Sequence, residues 1–289
     1  MKSKLIFWAL FVAIVSGAFA TGTYASERDG IFYLRLGQID VYMLVDAERE
    51  GNAGIISGAD EALLRRYIPA EGFRHSTNAF LLKTPTHTVL VDTGFGAALF
   101  DKLGVMGVDP GQVDAVLLTH LHGDHIGGLH RDGQALFPRA RIYLSDRERV
   151  HFTQTQVNQG AVTALAAYGD RVQSFEPAPL GSPLREILPG ISAIANYGHT
   201  PGHTVFLVES GGARLIIAGD FLHVALLQFP HPEISATFDV DQRAAADSRR
   251  QILDHAARNR ILIGGMHIAY PGIGIVEAEG NGFRFSALR

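Results

Sequence analysis

An α/β fold built on two sheets is what this sequence predicts, from three observations. Strand-like apolar runs alternate with helical segments. The runs fall into two batches. Each batch ends in side chains that ligate metals, the first in His120–His125 and the second in Asp220 and His267. No sequence repeat and no low-complexity linker divides the chain, so one domain over residues 26–289 is expected after an N-terminal leader.

The elements follow in order. Ile31–Leu36 and Asp40–Val45 read as strands paired across Gly37, and Asn78–Leu82 with Thr88–Val91 as a second pair joined through Pro85. Ala115–Leu118, Arg141–Leu144, Ile191–Ala195, Thr204–Val208, Arg214–Ile217, Ile261–Ile263 and Ile275–Ala278 are further apolar, β-branched runs of strand length. The clearest helix runs from Asp241 to Arg258, where Ala245, Ile252, Leu253 and Ala256 form an apolar stripe and Asn259 suits the C-terminal end. Asp46–Ser76, around a short helix Asp60–Tyr67, and Asp146–Pro183, around a helix Gly160–Tyr168, read as insertions. Such segments shape active sites about as often as they are plain surface.

Residues 1–25 read as a secretory signal peptide. Lys2 and Lys4 precede an uncharged apolar run from Leu5 to Phe19, too short for a comfortable membrane span, and cleavage is expected after Ala20 or Ala25. The expected location is periplasmic or secreted, with no stable membrane insertion after cleavage. The formal net charge is −4, and loss of Lys2 and Lys4 makes the remainder more acidic, which argues against a nucleic acid partner. Cysteine is absent, which excludes disulfides, a cysteine nucleophile and thiolate metal ligands.

His120-Leu121-His122-Gly123-Asp124-His125 carries four metal-ligand side chains, delivered by the apolar run Ala115–Leu118, with Gly123 allowing the chain to turn. Imidazole with carboxylate favours zinc and similar transition metals over calcium or magnesium. His203, Asp220 and His267 each adjoin a strand-like run and complete seven candidates, enough for two metals with open positions for water and substrate.

With these residues the chain resembles the metallo-β-lactamase superfamily. His120, His122, Asp124 and His125 match its H-x-H-x-D-H motif, His203, Asp220 and His267 its later motifs, and Val91–Gly94 its early strand-end aspartate, over about Val41 to Phe285. The resemblance implies a four-layer αββα sandwich. It implies one metal held by His120, His122 and His203, a second by Asp124, His125 and His267, and Asp220 bridging both. Asn78–Leu82, Gly198–His203, Ala218–His223 with Gln228–Pro230, and Pro271–Gly274 look closest to the methyl parathion hydrolase-like group and, more distantly, to acyl-homoserine lactone lactonases. Relatives of this kind are often homodimers.

A binuclear metal-dependent hydrolase of a small, apolar, ester-like substrate is therefore expected. A lactone (the quorum-quenching type) ranks first, and an aryl ester or phosphotriester is the alternative. Two divalent ions, with zinc first and manganese, iron or cobalt as alternatives, can share a water and lower its pKa to about neutral. The resulting metal-bridging hydroxide removes the need for a serine or cysteine nucleophile. Asp124 is expected to orient the nucleophile and move a proton besides ligating. His223, three residues after Asp220, could protonate a leaving group or hydrogen-bond the substrate. Asp92 is expected to orient a ligand imidazole. Phe95, Phe221, Leu222 and Phe229 could wall an apolar pocket, and His199 reads as structural. A non-catalytic metal- or ligand-binding protein on the same fold is the reading of a different class, disfavoured by the full set of ligands.

Overall fold

The protein is described by a computed structural model covering residues 23–26 and 29–289. The expected leader lies outside the described residues apart from Thr23–Ala25, which run in the strand Thr23–Ser26. Among the described residues no helix is long and apolar enough to cross a membrane.

Each half of the chain builds one sheet. The first has 8 strands in chain order, from Thr23–Ser26 through Ile31–Leu36, Ile39–Glu50, Arg74–Lys83, Thr88–Val91, Ala115–Leu117 and Arg141–Ser145 to Val172–Phe175. The second has 7, from Glu186–Leu188 through Ile191–Ala195, Thr204–Ser210, Ala213–Ile217, Leu262–Gly264 and Ile273–Glu279 to Gly282–Ala287. Neighbours joined by short turns pair antiparallel, as at Leu36↔Ile39 across Gly37, whose φ of 57° suits glycine. Neighbours joined by helical crossovers run parallel: Thr88–Val91 with Ala115–Leu117, that strand with Arg141–Ser145, and Ala213–Ile217 with Leu262–Gly264.

Alternation along the strands makes the layers. In Thr204–Ser210, Phe206 and Val208 face the first sheet, where they join Phe32, Met43, Phe80, Val91 and Leu117 in one core. Val205 and Leu207 face the other way, onto Ile252, Leu253 and Ala256 of the helix Gln242–Asn259. On the outer side of the first sheet Leu81, Leu90 and Val116 pack on Leu99, Leu103, Phe137 and Leu165. A strand apolar on both faces is a strand covered on both faces, and the result is the expected helix–sheet–sheet–helix sandwich. The helix Gln242–Asn259 starts where Asp241 accepts the Ala244 N–H at 2.9 Å and ends at Arg260, in left-handed conformation at φ 52°.

Two departures matter for the site. The first expected insertion begins and ends as strand: Ile39–Glu50 and Arg74–Lys83 stay paired past a bulge at Val45/Ala47. Asp46, at that bulge, is buried and accepts the backbone N–H groups of Phe95, Ala98 and Leu99 at 2.8, 2.9 and 2.8 Å, fixing the loop that follows Asp92. Between the strands, Ile56–Ser57 pairs with Ser235–Ala236, tying the insertion to the loop before the long helix.

Candidate metal centre

The strands Ala115–Leu117, Ala213–Ile217 and Leu262–Gly264 all run out of their sheets toward one edge of the sandwich. Ligand sites of open α/β sheets lie at such carboxyl ends. Beyond the first come His120 and then His122, the latter in extended backbone, and Gly123–Ile126 forms a helical turn that carries Asp124 and His125. Beyond the second comes Asp220, and beyond the third His267. Gly219 precedes Asp220 with φ 53°. A Cβ there would lie 2.5 Å from His203 Nε2 and 2.8 Å from Thr119 Cβ, so only glycine lets the carboxylate enter at this depth.

Two groups of donor atoms meet at Asp220. His120 Nε2, His122 Nδ1 and His199 Nε2 lie 3.0–3.2 Å from one another, and Asp220 Oδ2 lies 3.7 Å from His120 Nε2 and 3.4 Å from His199 Nε2. On the other side Asp220 Oδ1 lies 3.0 Å from His125 Nε2 and 3.1 Å from His267 Nε2. Asp124 Oδ2 lies 3.8 and 3.5 Å from the same two nitrogens. All are buried except His122 and Asp124, which open to solvent; the Asp124 side chain is 22% exposed.

The remaining ring nitrogens fix the tautomers. His125 Nδ1 donates to Asp92 Oδ2 at 2.6 Å, His267 Nδ1 to the Ser76 carbonyl at 2.8 Å, and His199 Nδ1 to Asp239 Oδ1 at 2.8 Å. The Thr119 hydroxyl donates to Asp92 at 2.6 Å and accepts from His120 Nδ1 at 3.1 Å. Asp92, itself in left-handed backbone at φ 55°, thus orients one imidazole of each group, one of them through Thr119. With Nδ1 protonated, Nε2 of His120 and of His199 presents a lone pair, and the two face each other at 3.2 Å without a hydrogen between them. His125 Nε2 and Asp220 Oδ1 are buried, close, and not aligned as a hydrogen bond. Converging acceptors of this kind repel unless a cation lies among them, so the donor set fits divalent metal.

The charges agree. Burial pushes the Asp220 carboxyl up, but the surrounding imidazoles, His125 foremost, outweigh it and hold the group well below the usual carboxylate range. Burial lowers His125, yet Asp220, Asp124 and Asp92 lift it well above the imidazole range: the carboxylates demand positive charge at this point. Burial lowers His122 to about 4 and holds His120 well below the usual imidazole range, so both are unprotonated and ready to ligate at neutral pH.

One expected ligand is misplaced. His203 donates Nδ1–H to the Asn196 carbonyl at 3.0 Å and accepts the Asp220 backbone N–H on Nε2 at 2.9 Å, so both ring nitrogens are committed to backbone. It braces the loop of Asp220, and His199 occupies the position expected for it. The other six expected ligands come together, and Asp92 lies behind two of them.

His223 reaches the cluster. Its Nε2 lies 3.0 Å from Asp220 Oδ2, its ring stacks on His267 at 5.2 Å, and burial lowers its pKa to about 4. Phe221, Leu222 and Phe229 do not wall a pocket: they are core beneath the second sheet. Phe95 is exposed. The aromatic rings that touch the cluster are Phe152, 5.6 Å from the His122 ring, and Phe238, 4.7 Å from His223 and 6.1 Å from His199.

Two buried carboxylates carried no sequence signal. Asp239 holds His199 and accepts the Ala236 N–H, with the fully buried Arg249 guanidinium 3.7 Å away. Glu148 accepts the Leu121 N–H at 3.0 Å on one oxygen, and the Thr200 hydroxyl at 2.6 Å and Gly202 N–H at 3.0 Å on the other. It clamps the loop of His120 and His122 to the loop of His199. Burial pushes its pKa up to about 7, against the downward pull of those donors.

The sequence profile of the metallo-beta-lactamase superfamily matches residues 72–259. A probable metallo-hydrolase of Mycobacterium tuberculosis is 26% identical over 220 residues, covering 63% of this chain and 68% of that protein. A ribonuclease Z of a Mycobacterium species is 29% identical over 182 residues, covering 57% of this chain and 62% of its own length. Among solved structures, the hydrolase AbOPH of the beta lactamase superfamily superposes with a TM-score of 0.80 at 24% identity, over 90% of this chain and 98% of that one. AidC, a dizinc quorum-quenching lactonase with the product N-hexanoyl-homoserine, gives 0.80 at 23%, with the same coverage. At these identities the likeness is one of fold.

Two predictions arise here. His199→Ala should lose one equivalent of divalent metal per chain, whereas His203→Gln should keep full metal content and fold less stably. Metal analysis beside equilibrium unfolding separates them, and the reverse pattern would restore His203 as the ligand. For Glu148 the sign is set by a folded-state pKa of about 7 against the ordinary 4.5: the native state binds more protons between those values. The unfolding free energy of wild type, relative to Glu148→Gln, should fall as pH rises across that window and level off above it.

Proposed function

Since this chain belongs to the metallo-beta-lactamase superfamily and is a metal-dependent hydrolase, we propose that it cleaves a small, largely apolar ester. A lactone is the first choice and an aryl ester or phosphotriester the alternative. The observation that carries this reading is the Asp220 carboxylate, which lies between the two groups of metal-ligand nitrogens: Oδ2 near His120 and His199, Oδ1 near His125, and His267 Nε2 at 3.1 and 3.2 Å from the two oxygens. The fold shared with a dizinc lactonase supports the choice of lactone.

His120, His122 and His199 would hold one divalent ion, Asp124, His125 and His267 the other, and Asp220 would offer one oxygen to each; zinc is the proposed metal. Ions held there supply Lewis acidity, which acidifies a water and polarises a carbonyl or phosphoryl oxygen. The protein's part is orientation and proton handling. Asp124 is the carboxylate open to solvent, and although burial raises its pKa, His125 foremost among its neighbours brings the balance down. It is ionised at neutral pH and takes up the proton of the attacking water at its carboxylate. His223, neutral in this range, donates Nε2–H to Asp220 Oδ2 and keeps that carboxylate turned; its Nδ1 is buried without a partner and is left as an acceptor. In that state it has no proton for a leaving group, so its assigned role is to orient.

We also propose export to the periplasm or medium, with the leader cut after Ala20. A cut after Ala25 would remove Thr23, Tyr24 and Ala25, which pair with Leu34, Tyr33 and Phe32. The mass of the exported protein should place its N-terminus at Thr21; a start at Ser26 would show that this edge strand is dispensable.

The activity test is a hydrolysis panel on metal-quantified protein: acyl-homoserine lactones, simple lactones, an aryl ester, a phosphotriester and a cephalosporin. Lactone turnover is expected to exceed the others, and to fall by more than about 100-fold on chelation or in Asp220→Ala. Full metal content with no turnover across the panel would instead favour a binding role.

A further inference from the structure

We propose that Phe238 is the specificity-determining residue of the site, the surface on which the acyl or aryl part of the substrate lies. The proposal rests on the ester reading above. Exposure alone would mean little, because single exposed apolar side chains are common. Phe238 is 43% exposed, yet its ring stands edge-on to two imidazoles of the metal cluster, His223 at 4.7 Å and His199 at 6.1 Å. Its exposed surface therefore borders the reacting centre.

The backbone around it is held in place. Thr237 N–H donates to the Ile55 carbonyl at 2.7 Å, Val240 N–H to His199 at 3.1 Å and Asp241 N–H to Gly198 at 2.9 Å, while Asp239 bonds the His199 ring. The loop that carries Phe238 is thus bonded to the loop of a metal ligand, so the ring keeps a fixed station relative to any ester carbonyl bound there. A rigid aromatic at a fixed distance from the reacting atom is what discrimination by chain length requires.

The test uses substrates of graded acyl length and a fluorescent reporter. Trp8, the one tryptophan of the sequence, lies in the proposed leader, so Phe238→Trp in the exported protein gives a single indole at the site. Titration with an unreactive N-octanoyl lactam should shift its emission to the blue, and the acetyl homologue should not. In Phe238→Ala, kcat/KM for octanoyl substrates should fall by about 10-fold or more through KM, with acetyl substrates changed far less. Phe238→Leu should recover part of the loss, and Val105→Ala, at an exposed apolar residue on the outer layer, should match wild type. Equal loss at every chain length, or no emission shift with the octanoyl lactam, overturns the proposal. If wild type cleaves no ester or lactone, the ester reading fails; the emission titration then still decides whether Phe238 receives an apolar chain.

Discussion

The centre is organised by a conflict between burial and charge. Asp220, 3% exposed, would be costly to ionise in an apolar interior. It is ionised because positive charge on the surrounding imidazoles, His125 foremost, outweighs burial, and those rings are turned toward it because carboxylates and carbonyls hold their other nitrogens. Acid and base each need the other in place, and the set is complete only around cations. Much of the surrounding structure serves to keep these groups in register: Asp92 with Thr119, Glu148 between two ligand loops, and Asp239 behind His199.

The scaffold makes that register robust by drawing ligands from both halves of the chain. His120–His125 leave the first sheet, and Asp220 and His267 leave the second, so the site straddles the sandwich where the central core of Phe80, Leu117, Phe206 and Ile217 packs the sheets together. Any shear between the sheets would separate Asp220 from His125. A close-packed interior resists such sliding, and the tightness of the core is in that sense part of the chemistry.

Much of this was legible in the sequence because local pattern and local chemistry coincide. Apolar runs that end in ligand-type side chains marked the strands, their batches marked two sheets, and six of the seven expected ligands lie together in the structure. The error at His203 has a physical cause. His199 and His203 flank one short turn, and spacing cannot tell which of them faces the cluster; only the strand starting at Thr204 turns His203 toward the Asn196 carbonyl. Asp239 and Glu148 were invisible because what they do depends on partners far along the chain, Glu148 meeting Leu121, Thr200 and Gly202. The apolar residues beside Asp220 looked like pocket walls by proximity in sequence, but the turn after Asp220 and the short helix Ala225–Gln228 place Phe221, Leu222 and Phe229 in the core.

Arg249 gives the site a division of labour. Fully buried on the long helix, it bonds the carbonyls of Phe221 at 2.5 Å and of Pro232 and Ile234 at 2.7 Å, and lies near Asp239. The segments after Asp220 and before the helix are thereby fastened to one cation. Phe238 rides on that fastened segment with its side chain outward, while Asp239, the next residue, points inward to His199. Adjacent positions therefore differ in what a substitution would disturb: at Phe238 it changes an exposed ring, at Asp239 it removes the hydrogen bond that holds the His199 ring. The surface beside the cluster can thus be altered without touching the groups that hold the cluster in place.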